Sequence, residues 1–366
     1  MNRRGAEAQR IRNVFTKQSS PRLGVSAVNL LIGLFFLMGV FLCLSVALGA
    51  VDFPLGRVAG ILSHRVLGWP GPSWAPWEQT IVLQLRLPRA LLAGLVGGAL
   101  AIAGAACQGM FRNPLADPGL IGVTSGASLG AVAAIYWGLS ARWGLALPAA
   151  AFAGALITAL AVWAIGSRAG RASTTTLLLA GVAIGSIATA VAALILSRSL
   201  SYSDAGRQIV LWLMGGLEAK TWLDVGLAAP FVLGGALWML FYARDLDALS
   251  TGEESALSLG VDVKAVRFSL LTLASLVTGA AVAVAGSIAF VGLIVPHVMR
   301  RLVGPGHRIL LPASFLAGAS LLTVADIGAR TLAAPEELRL GVLTSLLGGP
   351  FFLFLLLRAR KEVEVP

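Results

Sequence analysis

Apolar residues in this chain gather in long unbroken runs instead of recurring at alternate or every third position. Nine windows contain no Asp, Glu, Lys or Arg: Val25–Val51, Ala90–Phe111, Pro118–Ala141, Trp143–Ser167, Ala172–Ser197, Val225–Ala243, Phe268–Met299, Ile309–Ala325 and Leu340–Leu357. A helix needs about 20 apolar residues to cross a bilayer. The seventh window holds 32 residues and contains Gly286-Ser287 and Pro296. It reads as two helices, the second short, which makes ten. The first window far exceeds the roughly 7–15 apolar residues of a signal peptide and reads as a retained helix.

Lys and Arg set the orientation. With ten helices and both termini cytoplasmic, 18 of the 28 Lys and Arg fall inside and 10 outside. The inverted topology reverses that bias. The fold class is therefore all-α: a polytopic membrane protein. Residues 1–24 read as a basic cytoplasmic tail near anionic lipid, and a floppy terminus fits equally well. Residues 25–358 form the ten-helix domain, and 359–366 a cytoplasmic C-terminal tail. Helices two to five and seven to ten run in opposite senses, as in the inverted repeats of transporters.

Two loops exceed hairpin length. The outer one, Asp52–Gln79, carries Trp69-Pro70-Gly71-Pro72 and Pro76, and suggests a short helix plus turns. The inner one, Arg244–Arg267, contains Ser250-Thr251-Gly252-Glu253-Glu254, a helix-start pattern of hydroxyl caps and first-turn carboxylates. Gly260 follows as a stop. A short cytoplasmic helix over about 250–260 is expected. Pattern alone fits an ordinary surface helix equally well.

Composition agrees with a lipid-covered protein. Hydrophobic residues are 57%, charged residues 12% and mean hydropathy +0.85, whereas a soluble domain carries about 25% charge. The 43 glycines suit close helix packing. A net charge of +11 is explained by cytoplasmic loops. No basic stretch interleaves with aromatics, so nucleic acid is excluded as a partner. Cys43 and Cys107 lie in apolar runs and read as packing residues.

None of the four lysines follows a glycine, so no phosphate-binding Gly-Lys-Ser/Thr loop is present. The three histidines show no metal-ligand spacing, and no catalytic constellation is visible. Within the spans Asp326 stands almost alone as an acid. That scarcity argues against an ion-coupled carrier, the main alternative from another class. The absence of clustered catalytic residues argues against a membrane-embedded enzyme.

Four stretches carry more information. They are Leu85-Arg86-Leu87-Pro88-Arg89; Gln108–Gly122, with Arg112-Asn113-Pro114 and Asp117-Pro118-Gly119; Gly286–His297; and Ala325-Asp326-Ile327-Gly328-Ala329-Arg330 with Glu337-Leu338. In this order they closely resemble the type II ABC importer permeases for iron-siderophore, haem and vitamin B12 uptake, over roughly residues 25–360. The resemblance implies a homodimer in the bacterial inner membrane. Two ABC ATPase subunits dock below, and a periplasmic substrate-binding protein docks above. The chain then needs no cofactor of its own, because ATP and Mg belong to the ATPase.

Residue roles follow from the same resemblance. Arg86, Arg89 and Arg330 match outward arginines that receive the binding protein's glutamates, a task suited to the planar guanidinium fork. Interfacial snorkelling or helix-end capping is the bland alternative. Gly252, Glu253, Ala256, Leu259 and Gly260 match the helix that couples to the ATPase. Thr174 and Thr175 match a hydroxyl pair at the cytoplasmic gate, and hydroxyls there also suit N-capping. Asn113, Pro114, Pro118, Pro296 and His297 read as structural. Haem is the first expected cargo, because Phe111–Gly122 and Gly348–Phe352 look most like haem permeases. Ferric siderophore comes second and cobalamin third.

Overall fold

The computed structural model describes residues 21–49, 52–69, 74–167, 173–200 and 204–363. Residues 1–20 of the expected tail, the Pro70-Gly71-Pro72 turn and the last three residues lie outside that set. Among the described residues the secondary structure is entirely helical. The helices used below are α1 (Pro21–Ala47), α2 (Leu55–Leu67), α3 (Pro76–Met110), α4 (Val123–Tyr136), α5 (Ala146–Gly166), α6 (Thr174–Ser199) and α7 (Asp204–Leu213). They continue with α8 (Trp222–Phe241), α9 (Ala243–Thr251), α10 (Glu253–Ser258), α11 (Val263–Ala285), α12 (Val291–Val303), α13 (His307–Thr331) and α14 (Leu340–Val363).

Among the described residues, seven helices are long and apolar enough to cross a membrane: α1, α3, α5, α6, α8, α11 and α13. The remaining three expected spans are shorter. At about 1.5 Å per residue, α4 and α12 each extend about 20 Å, less than the roughly 30 Å of a hydrocarbon core. The apolar run of α14 extends from Leu340 to Leu357. The long seventh window breaks where the Gly-Ser pair lies. Gly286 ends α11 at φ +69° and Phe290 opens α12 at φ +68°, so no regular helix runs through.

Helix α3 is the central post. Some 89% of its apolar window is buried, against 17% for α1. Small residues allow this. A Cβ on Gly97 would strike the Gly318 carbonyl, and one on Gly318 would strike the Gly97 carbonyl. A Cβ on Gly104 would land on the Gly292 carbonyl. Backbones of α3, α12 and α13 therefore meet without intervening side chains, the packing that dispersion favours in a bilayer. Gly126 and Gly154 make the same reciprocal contact between α4 and α5. Phe35 and Phe36 of α1, Ile187 and Leu194 of α6, and Trp238 and Phe241 of α8 point outward, where lipid covers them.

Three local expectations change. The outer loop ends before Gln79: α3 already starts at Pro76 and runs through a π-helical turn, Ile81–Arg86. Pro88 has no N–H to give its preceding turn. The Leu87 amide reaches back to the Val82 carbonyl, and the indole Nε1 of Trp222 donates to the Leu83 carbonyl at 2.9 Å. Second, Ser250 and Thr251 do not cap α10. They end α9, their hydroxyls donating back to the Asp247 and Ala248 carbonyls, and Gly252 stands at the cap instead. Third, the amphipathic α7 went unanticipated. Its Ile209 is fully buried among Val132, Ile135 and Ala192.

Candidate functional site

Charged groups collect where α3 leaves its π turn and at its carboxyl end. Just past the turn, Arg89 grips Asp326 with Nε and Nη2 at 2.9–3.2 Å, and Glu337 at 2.8 and 3.1 Å. Arg330 reaches the same Asp326 carboxylate through Nε at 3.2 Å. Its other nitrogens donate to the Ser45 and Leu48 carbonyls and the Ser45 hydroxyl. Arg86 donates to the Val46 and Ala47 carbonyls at 3.0 and 2.8 Å, and lies 4.9 Å from the centre of the Phe53 ring.

Those carbonyls close the carboxyl end of α1, where a helix leaves four acceptors unsatisfied and carries partial negative charge. Two guanidinium groups therefore cap one helix, while two also neutralise Asp326, which is 0% exposed. Arg86 and Arg330 do not stand outward as the sequence suggested. They are 9% and 7% exposed, because the α1 carbonyls and Asp326 draw them in. The cluster's accessible rim is Arg89 with Glu337, whose side chains are 12% and 33% exposed.

The other end of α3 lies about 30 Å away, twenty residues on. There a Cβ on Gly109 would meet the His307 ring. His307 bonds Asp247 of α9 through both its amide and Nδ1, at 2.8 and 2.7 Å. Helix α9 leads through Gly252, at φ +131°, into α10. Ala256 of α10 is fully buried, whereas Leu257 and Leu259 are 56% and 67% exposed. Gly260, at φ +83°, ends the turn, and the Val261 amide donates to the Ala256 carbonyl, a left-handed stop that glycine favours. Glu253 pairs with Arg267 of α11 at 3.1 Å. Arg267 also donates to the Thr174 hydroxyl at 3.3 Å.

Thr174 is the first residue of α6. Its cap is Ser173, whose Oγ accepts from the Thr176 amide, and Thr175 is exposed. The structure thus brings Glu253 and Thr174 together through Arg267, a residue the sequence reading passed over. The only hint was an arginine opening an apolar helix.

The connection from α3 to α4 is held by its own side chains. Asn113 Oδ1 accepts from the Leu115 amide and Asp117 Oδ1 from the Gly119 amide. Pro118 opens a 3-10 turn, Pro118–Ile121, and Pro114 precedes it in the same loop. Burial pushes the Asp117 carboxyl above its ordinary pKa, opposed by the Gly119 hydrogen bond. Pro296 lies buried inside α12, followed by His297. Among the described residues, no three His, Cys, Asp or Glu side chains cluster closely enough to hold a metal.

A bundle of apolar helices knotted around one buried post, with ionic clusters at both ends, has the architecture of a membrane permease. The chain belongs to the FecCD transport family, which it matches over residues 36–358. It is 49% identical to the cobalamin import system permease protein of Halobacterium salinarum, over 85% of this chain and 86% of that one. It is 43% identical to the hemin transport system permease protein of Yersinia pestis, over 89% and 96%. A solved inward-facing structure, described as a metal-chelate type ABC transporter, superposes with a TM-score of 0.78 at 31% identity, covering 90% of this chain and 99% of that chain. This chain is accordingly an ABC importer permease and a multi-pass protein of the inner, or cytoplasmic, membrane.

Proposed function

We propose that the chain works as a homodimer of ten-helix subunits, both termini cytoplasmic, that passes a metal-centred tetrapyrrole from a binding protein to the cytoplasm. Haem is the preferred cargo. Two separate ATPase subunits hydrolyse ATP with Mg, so the chain itself is not an enzyme and carries no cofactor. The family match with a haem permease among the relatives carries this reading. Cobalamin is the second reading, favoured by the 49% identity to a cobalamin permease. Both cargoes share a metal held in a tetrapyrrole ring. A ferric siderophore ranks after them.

The docking face for the binding protein is the Arg89–Glu337 rim. Arg89 meets a carboxylate of the partner, and Arg86 and Arg330 hold the helix ends that position it. At the other end, α10 docks the ATPase, with Leu257 and Leu259 as apolar contacts. Gly252 and Gly260 shape the helix, and Ala256 anchors it. Thr174 and Thr175 form the cytoplasmic gate.

The test is ligand-stimulated ATPase activity and uptake in proteoliposomes holding the complete complex, with haem, cobalamin and a ferric siderophore in parallel. Haem should give the largest stimulation. Stimulation by cobalamin alone selects the second reading. Uptake driven by a proton gradient without ATP would overturn the importer mechanism.

A further inference from the structure

One nitrogen links the two cytoplasmic features. Nη2 of Arg267 lies 3.1 Å from Glu253 Oε2 and 3.3 Å from Thr174 Oγ1. Its two hydrogens serve the two acceptors. The arginine side chain is 5% exposed and the glutamate 46%, so the contact has one enclosed end and one end on the α10 surface. Three elements meet there: α10, the start of α11 that follows it, and the start of α6, 93 positions upstream of Arg267.

The joints around α10 differ from the joint itself. Gly252, before it, lies at φ +131° and ψ 153°, a region essentially closed to other residues. Gly260, after it, lies at φ +83° with open space around its Cβ position. Helix α10 is therefore a six-residue piece held between two glycine turns. Ala256 anchors it below and Glu253 ties it sideways. Displacing Glu253 would strip a charged acceptor from an enclosed guanidinium, which is costly. The guanidinium instead follows, and it holds the Thr174 hydroxyl.

We propose that Arg267 is the positioning residue that transmits movement of α10 to the amino-terminal turn of α6, so that the ATPase contact and the Thr174–Thr175 gate move as one unit. This rests on the coupling and gate assignments made above, and goes beyond them by naming the link.

The experiment uses the complete complex in nanodiscs, with Cys43→Ala removing the exposed native thiol and Thr175→Cys reporting on the gate. Labelling of that cysteine is measured without nucleotide and with a trapped ATP state, and uptake per ATP is measured in proteoliposomes. With Arg267 present, labelling should differ between the two states. Labelling that ignores nucleotide in this parent shows that the gate assignment itself fails, and the link falls with it. In Arg267→Gln the two states should label alike, and uptake per ATP should fall about tenfold, the size of one lost coupling contact. The exchange Glu253→Arg with Arg267→Glu restores opposite charges and lets Thr174 donate, so it should recover much of the nucleotide response.

A parent that responds beside an Arg267→Gln variant that responds equally overturns the link and leaves the gate standing. If Arg267→Gln does not assemble, the charge exchange decides: recovery of the response supports the link, and an assembled but unresponsive complex overturns it. Failure of both to assemble makes Arg267 a folding residue only, which also overturns it.

Discussion

Asp326 is an acidic residue without access to solvent, in a mostly apolar helix. Its cost is met by two guanidinium groups. Removing one weakens that compensation, within the about 3–5 kcal/mol that a fully broken buried pair typically costs. Arg330→Gln should therefore lower thermal stability in detergent, because Asp326 keeps only Arg89 and the Ser45 and Leu48 carbonyls lose their donor. Arg89→Glu should harm folding at least as much, since it removes the main partner of Asp326 and sets three carboxylates side by side. Where the variant still folds, capture of the binding protein should be weaker and salt-sensitive, read by co-purification across ionic strength. Asp117 offers a pH test. Its folded pKa is raised, so the stability of the protonated form is present below the unfolded pKa and lost as pH rises through the folded one. Asp117→Asn keeps an acceptor for Gly119 without the charge. It should match the parent in acid and gain on it as pH rises, measured as melting temperature. The arginine motif and Asp326 were both visible in the sequence. Their pairing was not, because Arg89 and Asp326 are 237 positions apart.

Elements were legible where hydrophobicity alone decides them. The windows locate the long apolar helices, and Gly286-Ser287 marks the break between α11 and α12. Elements shaped by distant partners were not legible. The π turn before Pro88 depends on an indole donor from α8, and no local pattern announces it. Trp222→Phe removes that donor and strands the Leu83 carbonyl. It should cost about 1–3 kcal/mol, visible as a lower melting temperature with helicity retained. The start of α10 was misplaced for a related reason. Ser and Thr serve as caps or bond back to the preceding turn, and only the geometry of α9 decides which.

At the scale of the molecule, the apolar helices turn outward to lipid while α3 is enclosed almost throughout. Composition foretold the first property, and the 43 glycines hinted at the second without saying which helix is enclosed. Gly104→Ala should be among the most damaging single substitutions, since the added methyl falls on the Gly292 backbone carbonyl. Rigid backbone cannot yield as a side chain does, so poor yield and aggregation in detergent chromatography are expected. Gly39→Ala on α1, with nothing within 4 Å of the new methyl, serves as the silent control.

The same glycine contacts bear on how such a chain can diversify over generations. A Cβ at positions 97, 104 or 318 would fall on neighbouring backbone, so drift there is constrained. A lineage that acquires a new cargo must write the change elsewhere, on faces that touch no backbone. Helix α6 has such a face: Val182, Ser186, Thr189 and Ala193 line an open groove along its flank. Comparing cobalamin and haem permeases position by position should find α3 nearly silent and the outer face of α6 divergent.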